Sequence, residues 1–335
     1  MKVCIYGAGV IGGILASAIG QAGHDVSVIA RGANLDAIRT NGLIVQAGDD
    51  GVTTWPAASR HPAEFGPQDL VIVATKTHSL SDVAQNISPL LGPETLVAFA
   101  VNGIFWFYGD ALPSDLKLQS SRLDPGDALR KQIGIDRAVG IVSITGGASV
   151  APGIVHASRH DGQFIAGGAL PAMQGRVETV FAALNPADIR LEVSKDIRQD
   201  MWRKYFGVVG NHATCALTGG TIAQVHADPG TQRIYLDLVS EAHQVAVAHG
   251  FTDLGFDFEK ARANPATSKH KPSMLQDLEA GRQIELESTY VVLQDLARQL
   301  DLATPTLDLV ISLLGLRSRI LGQAGHDAAI NPARP

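Results

Sequence analysis

A short apolar run, Val3–Tyr6, leads straight into Gly7-Ala8-Gly9-Val10-Ile11-Gly12, and an apolar helical pattern follows over Ile11–Ala22. Three glycines so spaced between a strand and a helix point to a βαβ unit built around a dinucleotide. The first permits the tight turn, the second lets the backbone approach a pyrophosphate, and the third lets helix and strand pack closely. The helix N-terminus then faces the phosphates. A second strand, Asp25–Ile29, completes the unit. Gly7, Ala8, Gly9, Val10, Ile11 and Gly12 are therefore the candidate cofactor loop.

The alternation continues: a short helix over Leu35–Thr40, a strand or hairpin from Leu43–Val45, strands Leu70–Thr75 and Leu96–Val101, and a helix near Ser79–Leu91 between them. Strands that are apolar throughout argue for a parallel sheet covered on both faces. Val139–Ile165 is strand-like with a turn at Pro152-Gly153. Phe105–Asp136, holding Trp106, Phe107 and Tyr108, is irregular and reads as a surface excursion or a lid.

Where the second strand ends, a carboxylate would read a ribose 2′-hydroxyl. Ile29-Ala30-Arg31 stands there instead, and a guanidinium suits a 2′-phosphate, so NADP(H) is favoured over NAD(H). Lys76 and Asn102-Gly103 follow central strands at the carboxyl edge, where such sheets bind ligands. Read alone, Asn-Gly is a turn and Lys76 a flanking charge.

From Lys195 the pattern turns helical, with candidates over Asp200–Leu217, Thr231–His249, Pro272–Leu300 and Leu307–Leu321. The expected division is a dinucleotide-binding Rossmann-type domain (1–194), a mainly α-helical domain (195–322) and a flexible tail (323–335). With 335 residues, two domains are the default. A net charge of -6 with scattered Lys and Arg gives no basic patch for nucleic acid or an anionic membrane. Cys4 and Cys215 have no partners at metal-ligand or disulfide spacing, which fits a cytoplasmic chain without a metal. Glycines interrupt the first apolar run, so it is read as neither a signal peptide nor a membrane span.

The residues then become familiar as a set. Gly7–Gly12, Lys76, Asn102-Gly103, Pro152-Gly153-Ile-Val-His156, Trp202-Arg-Lys204, Ala216-Leu217-Thr218 and Ser273-Met-Leu-Gln-Asp277-Leu-Glu-Ala-Gly281-Arg-Gln-Ile-Glu285 occur in order. Together they resemble the ketopantoate reductase (2-dehydropantoate 2-reductase) family over nearly the whole chain. The resemblance implies NADPH-dependent reduction of 2-dehydropantoate in pantothenate and coenzyme A synthesis. It implies Lys204 as general acid and Glu285 as the group orienting substrate and cofactor. Lys76 and Asn102 would lie against nicotinamide and substrate, Ser273 would hold the substrate carboxylate, and Arg31 would meet the 2′-phosphate. Where the family has asparagines four and eight residues after the lysine, this chain has Val208 and His212, with Asn211 beside the latter. His270 stands for another family asparagine, and Glu287, Tyr290 and Val291 replace an Asp and an Asn-Gly. Asn211, His212 and His270 are thus expected near a substrate whose identity these changes bear on: 2-dehydropantoate first, another 2-oxoacid or an imine second. A non-catalytic NADP(H)-binding redox sensor is the rival of a different class, and a homodimer is allowed.

The residues carry their own chemical argument. Hydride addition to a ketone creates an alkoxide that needs a proton donor. Lys204 sits among Trp202, Tyr205 and Phe206, an apolar setting that lowers an ammonium's pKa. At about 100° per residue, Asn211 falls within roughly 20° of the same helix face. Glu285 belongs to a helical pattern and reads alone as a surface carboxylate. The stretch Ser268–Ser273 is basic, and Ser273 after Pro272 reads as a helix N-cap able to take a carboxylate.

Overall fold

The computed structural model describes residues 1–113, 121–158, 162–264 and 266–321. The chain divides into two compact units, Met1–Met201 and Trp202–Pro335. This division falls inside the helix Ile197–Thr218, later than the sequence-based boundary after residue 194; the expected tail 323–335 lies outside the described residues.

The first unit opens as the glycine spacing predicts, with β1 (Lys2–Tyr6), α1 (Val10–Gln21), β2 (Asp25–Ile29) and α2 (Gly32–Asn41). β3 (Leu43–Ala47) and β4 (Asp50–Thr54) form an antiparallel hairpin, and β5 (Ala57–Ser59) pairs alongside β2. There follow β6 (Gln68–Val73), α3 (Leu80–Asn86), β7 (Leu91–Phe99), α4 (Ala128–Gln132), β8 (Ala138–Ser143), β9 (Gly147–Ala151), β10 (Ile154–Ala157), β11 (Gly162–Gly168), α5 (Gln174–Leu184) and β12 (Ile189–Val193).

Eight strands form one sheet in the order β12-β11-β8-β7-β6-β1-β2-β5. From β5 to β8 all pairs are parallel; β11 runs antiparallel to β8, so the sheet is mixed. Val3, Cys4 and Ile5 of β1 and Leu70–Val73 of β6 are buried, which is why these strands read as unbroken apolar runs. A second sheet, β4-β3-β10-β9, packs on α1, where a Cβ on Gly13 would come within 3.0 Å of Val155.

The aromatic segment after Asn102 is neither a lid nor a surface excursion in its described part. Phe105, Trp106, Phe107 and Tyr108 are buried. The buried guanidinium of Arg198 donates to the carbonyls of Phe107 (2.7 Å) and Tyr108 (2.8 Å) and lies over the Phe107 ring. These aromatics pack rather than cover; residues 114–120 lie outside the described set.

The second unit is helical. It comprises α6 (Ile197–Thr218, entering from the first unit), α7 (Ile222–Ala227), α8 (Pro229–Ala248), α9 (Phe258–Ala263), α10 (Ser273–Glu279), α11 (Val292–Gln299) and α12 (Pro305–Ile320). Pro272–Leu300 is not one helix. Gly281 takes a φ of +66° after α10, and a π-helical turn, Glu287–Val291, precedes α11. Among the described residues no helix is long and apolar enough to cross a membrane.

Candidate active site

Register builds the candidate cofactor edge of the first unit. Tyr6 of β1 pairs with Ile29 of β2 and Val73 of β6, and Val73 pairs with Phe99 of β7. These four residues end parallel strands in line, so the segments after them leave the sheet along one edge. Arg31, Gly7, Lys76 and Asn102 therefore stand in that order along the carboxyl edge. The chain crosses from β2 to β6 on either side of β1, which makes this a topological switch point.

The glycine loop has the shape that a diphosphate requires. Gly7 has a φ of +108°, and a Cβ there would meet Ala74 O at 3.0 Å. A Cβ on Gly12 would lie 1.9 Å from Gly7 O, so only glycine allows this turn to close on the helix. Gly9 differs: no atom lies within 4 Å of its would-be Cβ, and it is the exposed N-cap of α1. The loop is closed where strand meets helix and open where a ligand would arrive. No acidic side chain stands in the first turn of α1, and backbone N–H groups at a helix start have no intrahelical partner. Gly7, Ala8, Gly9, Val10, Ile11 and Gly12 thus fit the phosphates of a dinucleotide.

Asn34, which carries no local sequence signal, braces this loop. Its Nδ2 donates to Ala8 O at 2.7 Å, and its Oδ1 accepts from the N–H of Gly153 at 2.6 Å. The Pro152-Gly153-Ile-Val-His156 string therefore braces the glycine loop through Asn34. Gly153 needs its φ of +73° for the turn into β10. Arg31 is exposed and meets Asp82 at 3.2 Å, an exposed pair that holds it only weakly. Lys76 and Asn102 are half-buried, and Gly103 takes a φ of +90° directly after Asn102.

The second unit carries its own group of candidate residues. Lys204 lies on α6 between buried Trp202, Tyr205 and Phe206. It keeps some accessible surface, yet burial lowers its pKa to about 8, and the Glu285 carboxylate acts against that lowering. Glu285 is buried and sits just before the π turn, not within a helix as its pattern suggested. A reciprocal clamp ties the π turn to α6: Tyr205 donates to the carbonyl of Thr289, and Tyr290 donates to that of Val209 at 3.0 Å. Arg282 pairs with buried Asp277 at 2.8 Å and fixes the bend leading to Glu285. The Ser273–Glu285 string thus includes the bend that positions the buried Glu285 carboxylate.

Asn211 is engaged by a histidine that the sequence reading passed over. The N–H of Ala266 reaches His226 Nδ1 at 3.4 Å, so the ring hydrogen belongs on Nε2, 2.8 Å from Asn211 Oδ1. This leaves the Asn211 amide nitrogen as its donating end. His226 is buried, which lowers its pKa and keeps it neutral. His212 is half-buried on α6. His270 is exposed, and its carbonyl accepts from the N–H of Ile222 at 3.2 Å. Ser273 is not an N-cap. Pro272 occupies that position in extended conformation, and Ser273 is the first residue of a helix of 7 residues without a side-chain cap bond. Lys271, in the basic stretch, is paired with Glu279.

Comparison with known proteins agrees over the full span. The family described as ketopantoate reductase PanE/ApbA matches residues 3–169, and that described as ketopantoate reductase PanE/ApbA C terminal matches residues 196–318. A 2-dehydropantoate 2-reductase of Mesorhizobium japonicum is 36% identical over 94% of this chain and 97% of its own. A crystal structure of 2-dehydropantoate 2-reductase from Geobacter metallireducens superposes with a TM-score of 0.80 at 26% identity, covering 94% of this chain and 99% of that one. A ternary structure of D-mandelate dehydrogenase with NADH shares the fold alone, with a TM-score of 0.83 at 19% identity over 96% of this chain and all of that one.

Proposed function

The chain belongs to the ketopantoate reductase family, and from that premise we propose that it reduces 2-dehydropantoate to pantoate with NADPH, Lys204 giving the proton. The observation that carries the reading is the lysine itself. An ammonium with a pKa of about 8, set by burial and opposed by a carboxylate, suits a general acid near neutral pH. A nicotinamide held beside Lys76 and Asn102 would supply the hydride that the ketone carbon takes up. As the oxygen gains charge, Lys204 Nζ passes a proton to it, and the Glu285 carboxylate holds the resulting hydroxyl and helps keep Lys204 charged. Lys76 and Asn102 orient nicotinamide and substrate, and Ser273 takes the substrate carboxylate. Asn211, oriented by His226, together with His212 and His270, lines the substrate side. Arg31 meets the 2′-phosphate, which makes NADPH the preferred donor.

Buried Val208 removes a hydrogen-bonding amide that the family pattern has, and this motivates a second reading, a different 2-oxoacid or an imine. Steady-state NADPH oxidation with 2-dehydropantoate and a panel of 2-oxoacids and imines tests both. Turnover highest with 2-dehydropantoate is expected. Brisk turnover of another acid alone would transfer the assignment, and tight NADPH binding without any turnover would leave only a redox sensor.

A further inference from the structure

The guanidinium expected to meet a 2′-phosphate already carries a carboxylate. Arg31 Nη1 donates to Asp82 Oδ2 at 3.2 Å, and the two side chains are 72% and 61% exposed. Among the described residues neither charged group has another hydrogen-bonded or ionic partner. The pair spans the carboxyl end of β1. Arg31 is the extended N-cap of α2, directly after β2, and the first turn of α2 holds no acidic side chain. Asp82 comes from the first turn of α3, which follows β6 on the other side of β1. Tyr6 ends β1 between them. Burial raises the pKa of its hydroxyl, Asp82 raises it further and Arg31 opposes both, so the three groups share one electrostatic field. The carboxylate that the end of β2 lacks is thus supplied to the same guanidinium from across the strand.

Two nicotinamide dinucleotides meet this pair differently. A ribose 2′-hydroxyl can donate a hydrogen bond, and a carboxylate is the acceptor that NAD-binding sheets offer it. A 2′-phosphate carries close to two negative charges and accepts only. A guanidinium has five N–H donors, and Asp82 takes one of them, so a phosphate can reach Arg31 with Asp82 in place. It then sits within two hydrogen-bond lengths of a like charge. Displacing Asp82 instead costs the ion pair. On both routes the carboxylate opposes the phosphate, and it favours the hydroxyl.

Resting on the reading that Arg31 meets the 2′-phosphate, we propose that Asp82 is a specificity-determining residue: its carboxylate holds down the preference for NADP(H) and lets the same site take NAD(H). Calorimetric titration of the full-length protein with NADP+ and with NAD+ tests this without turnover. Asp82→Asn removes the charge and keeps the size, and because the pair is exposed the melting temperature is expected to stay unchanged. The variant is expected to bind NADP+ about 10-fold tighter, the effect of lifting one charge about 6 Å from a dianion in water. It is expected to bind NAD+ about 3-fold more weakly, since a charge-assisted acceptor is lost. High salt is expected to shrink the gain for NADP+. An unchanged preference in Asp82→Asn, or an equal change for both nucleotides, would overturn the proposal. Arg31→Ala, titrated alongside, separates this from a failure of the premise. A preference for NADP+ that falls in Arg31→Ala but does not rise in Asp82→Asn removes the role of Asp82 alone. A preference unmoved in Arg31→Ala takes the 2′-phosphate away from Arg31, and the role of Asp82 goes with it.

Discussion

The Glu285 carboxylate supports the charge on the Lys204 ammonium while burial works against it, and the balance sets the lysine near pH 8. The two residues are 81 positions apart in sequence and interact electrostatically, and Tyr205 and Tyr290 pin the π turn after Glu285 to α6. A lysine used as an acid must be protonated, so activity is present below its pKa and lost as pH rises through it.

The kcat/KM profile is therefore expected to fall on an alkaline limb near pH 8. Glu285→Gln removes the influence that raises the lysine's pKa, so the limb moves to lower pH as well as activity falling. An unmoved limb in Glu285→Gln would disconnect the pair.

Burying an ammonium costs stability. The folded pKa of Lys204 lies below its ordinary value of 10.5, so the cost is fully present below about pH 8 and disappears above pH 10.5, where both states are neutral. Lys204→Met is expected to stabilise the fold by about 1–3 kcal/mol at pH 7 and by less at pH 10. Urea unfolding at the two pH values reads the difference, and equal gains would count against a strained ammonium.

Gly9 and Gly12 should separate binding from folding. A methyl on Gly9 enters open space where the proposed function would put the pyrophosphate, so Gly9→Ala is expected to keep its melting temperature within about 3 °C and to weaken NADPH binding at least ~10-fold. A methyl on Gly12 overlaps Gly7 O, so Gly12→Ala is expected to lose about 2–4 kcal/mol of stability. Calorimetric melting and cofactor titration of both variants check this.

Arg31→Ala is expected to reduce the preference for NADPH over NADH about 10-fold, a change of ~1.4 kcal/mol, with the melting temperature unchanged because its pair with Asp82 is exposed. Comparing kcat/KM with the two cofactors decides it; an unchanged ratio would place the 2′-phosphate elsewhere.

Much of the cofactor half was legible because its signals are local. A strand, three glycines and a helix fix their own geometry, and β1, α1 and β2 appear within a residue or so of where the pattern puts them. The mixed direction of β11 was not legible, since apolar alternation does not record orientation. Asn34 was missed because its two bonds reach backbone far away in sequence. The aromatic run Phe105–Tyr108 was misread because its partners are distant in sequence, among them Arg198, about ninety residues later. Glu285 was placed within a helix because helical periodicity continues across Gly281, whose positive φ ends α10 and lets the carboxylate turn in. His226 offered no pattern; its role appears only when Asn211 and Ala266 are seen on either side of the ring.

The most direct test of the account is Lys204→Ala, measured as kcat with 2-dehydropantoate beside the Kd for NADPH. Losing the proposed proton donor is expected to lower kcat by about 10²–10⁴-fold, with cofactor affinity nearly unchanged because the proposal gives Lys204 no part in holding the dinucleotide. Turnover within a few-fold of the parent enzyme, with NADPH still bound, would contradict the account.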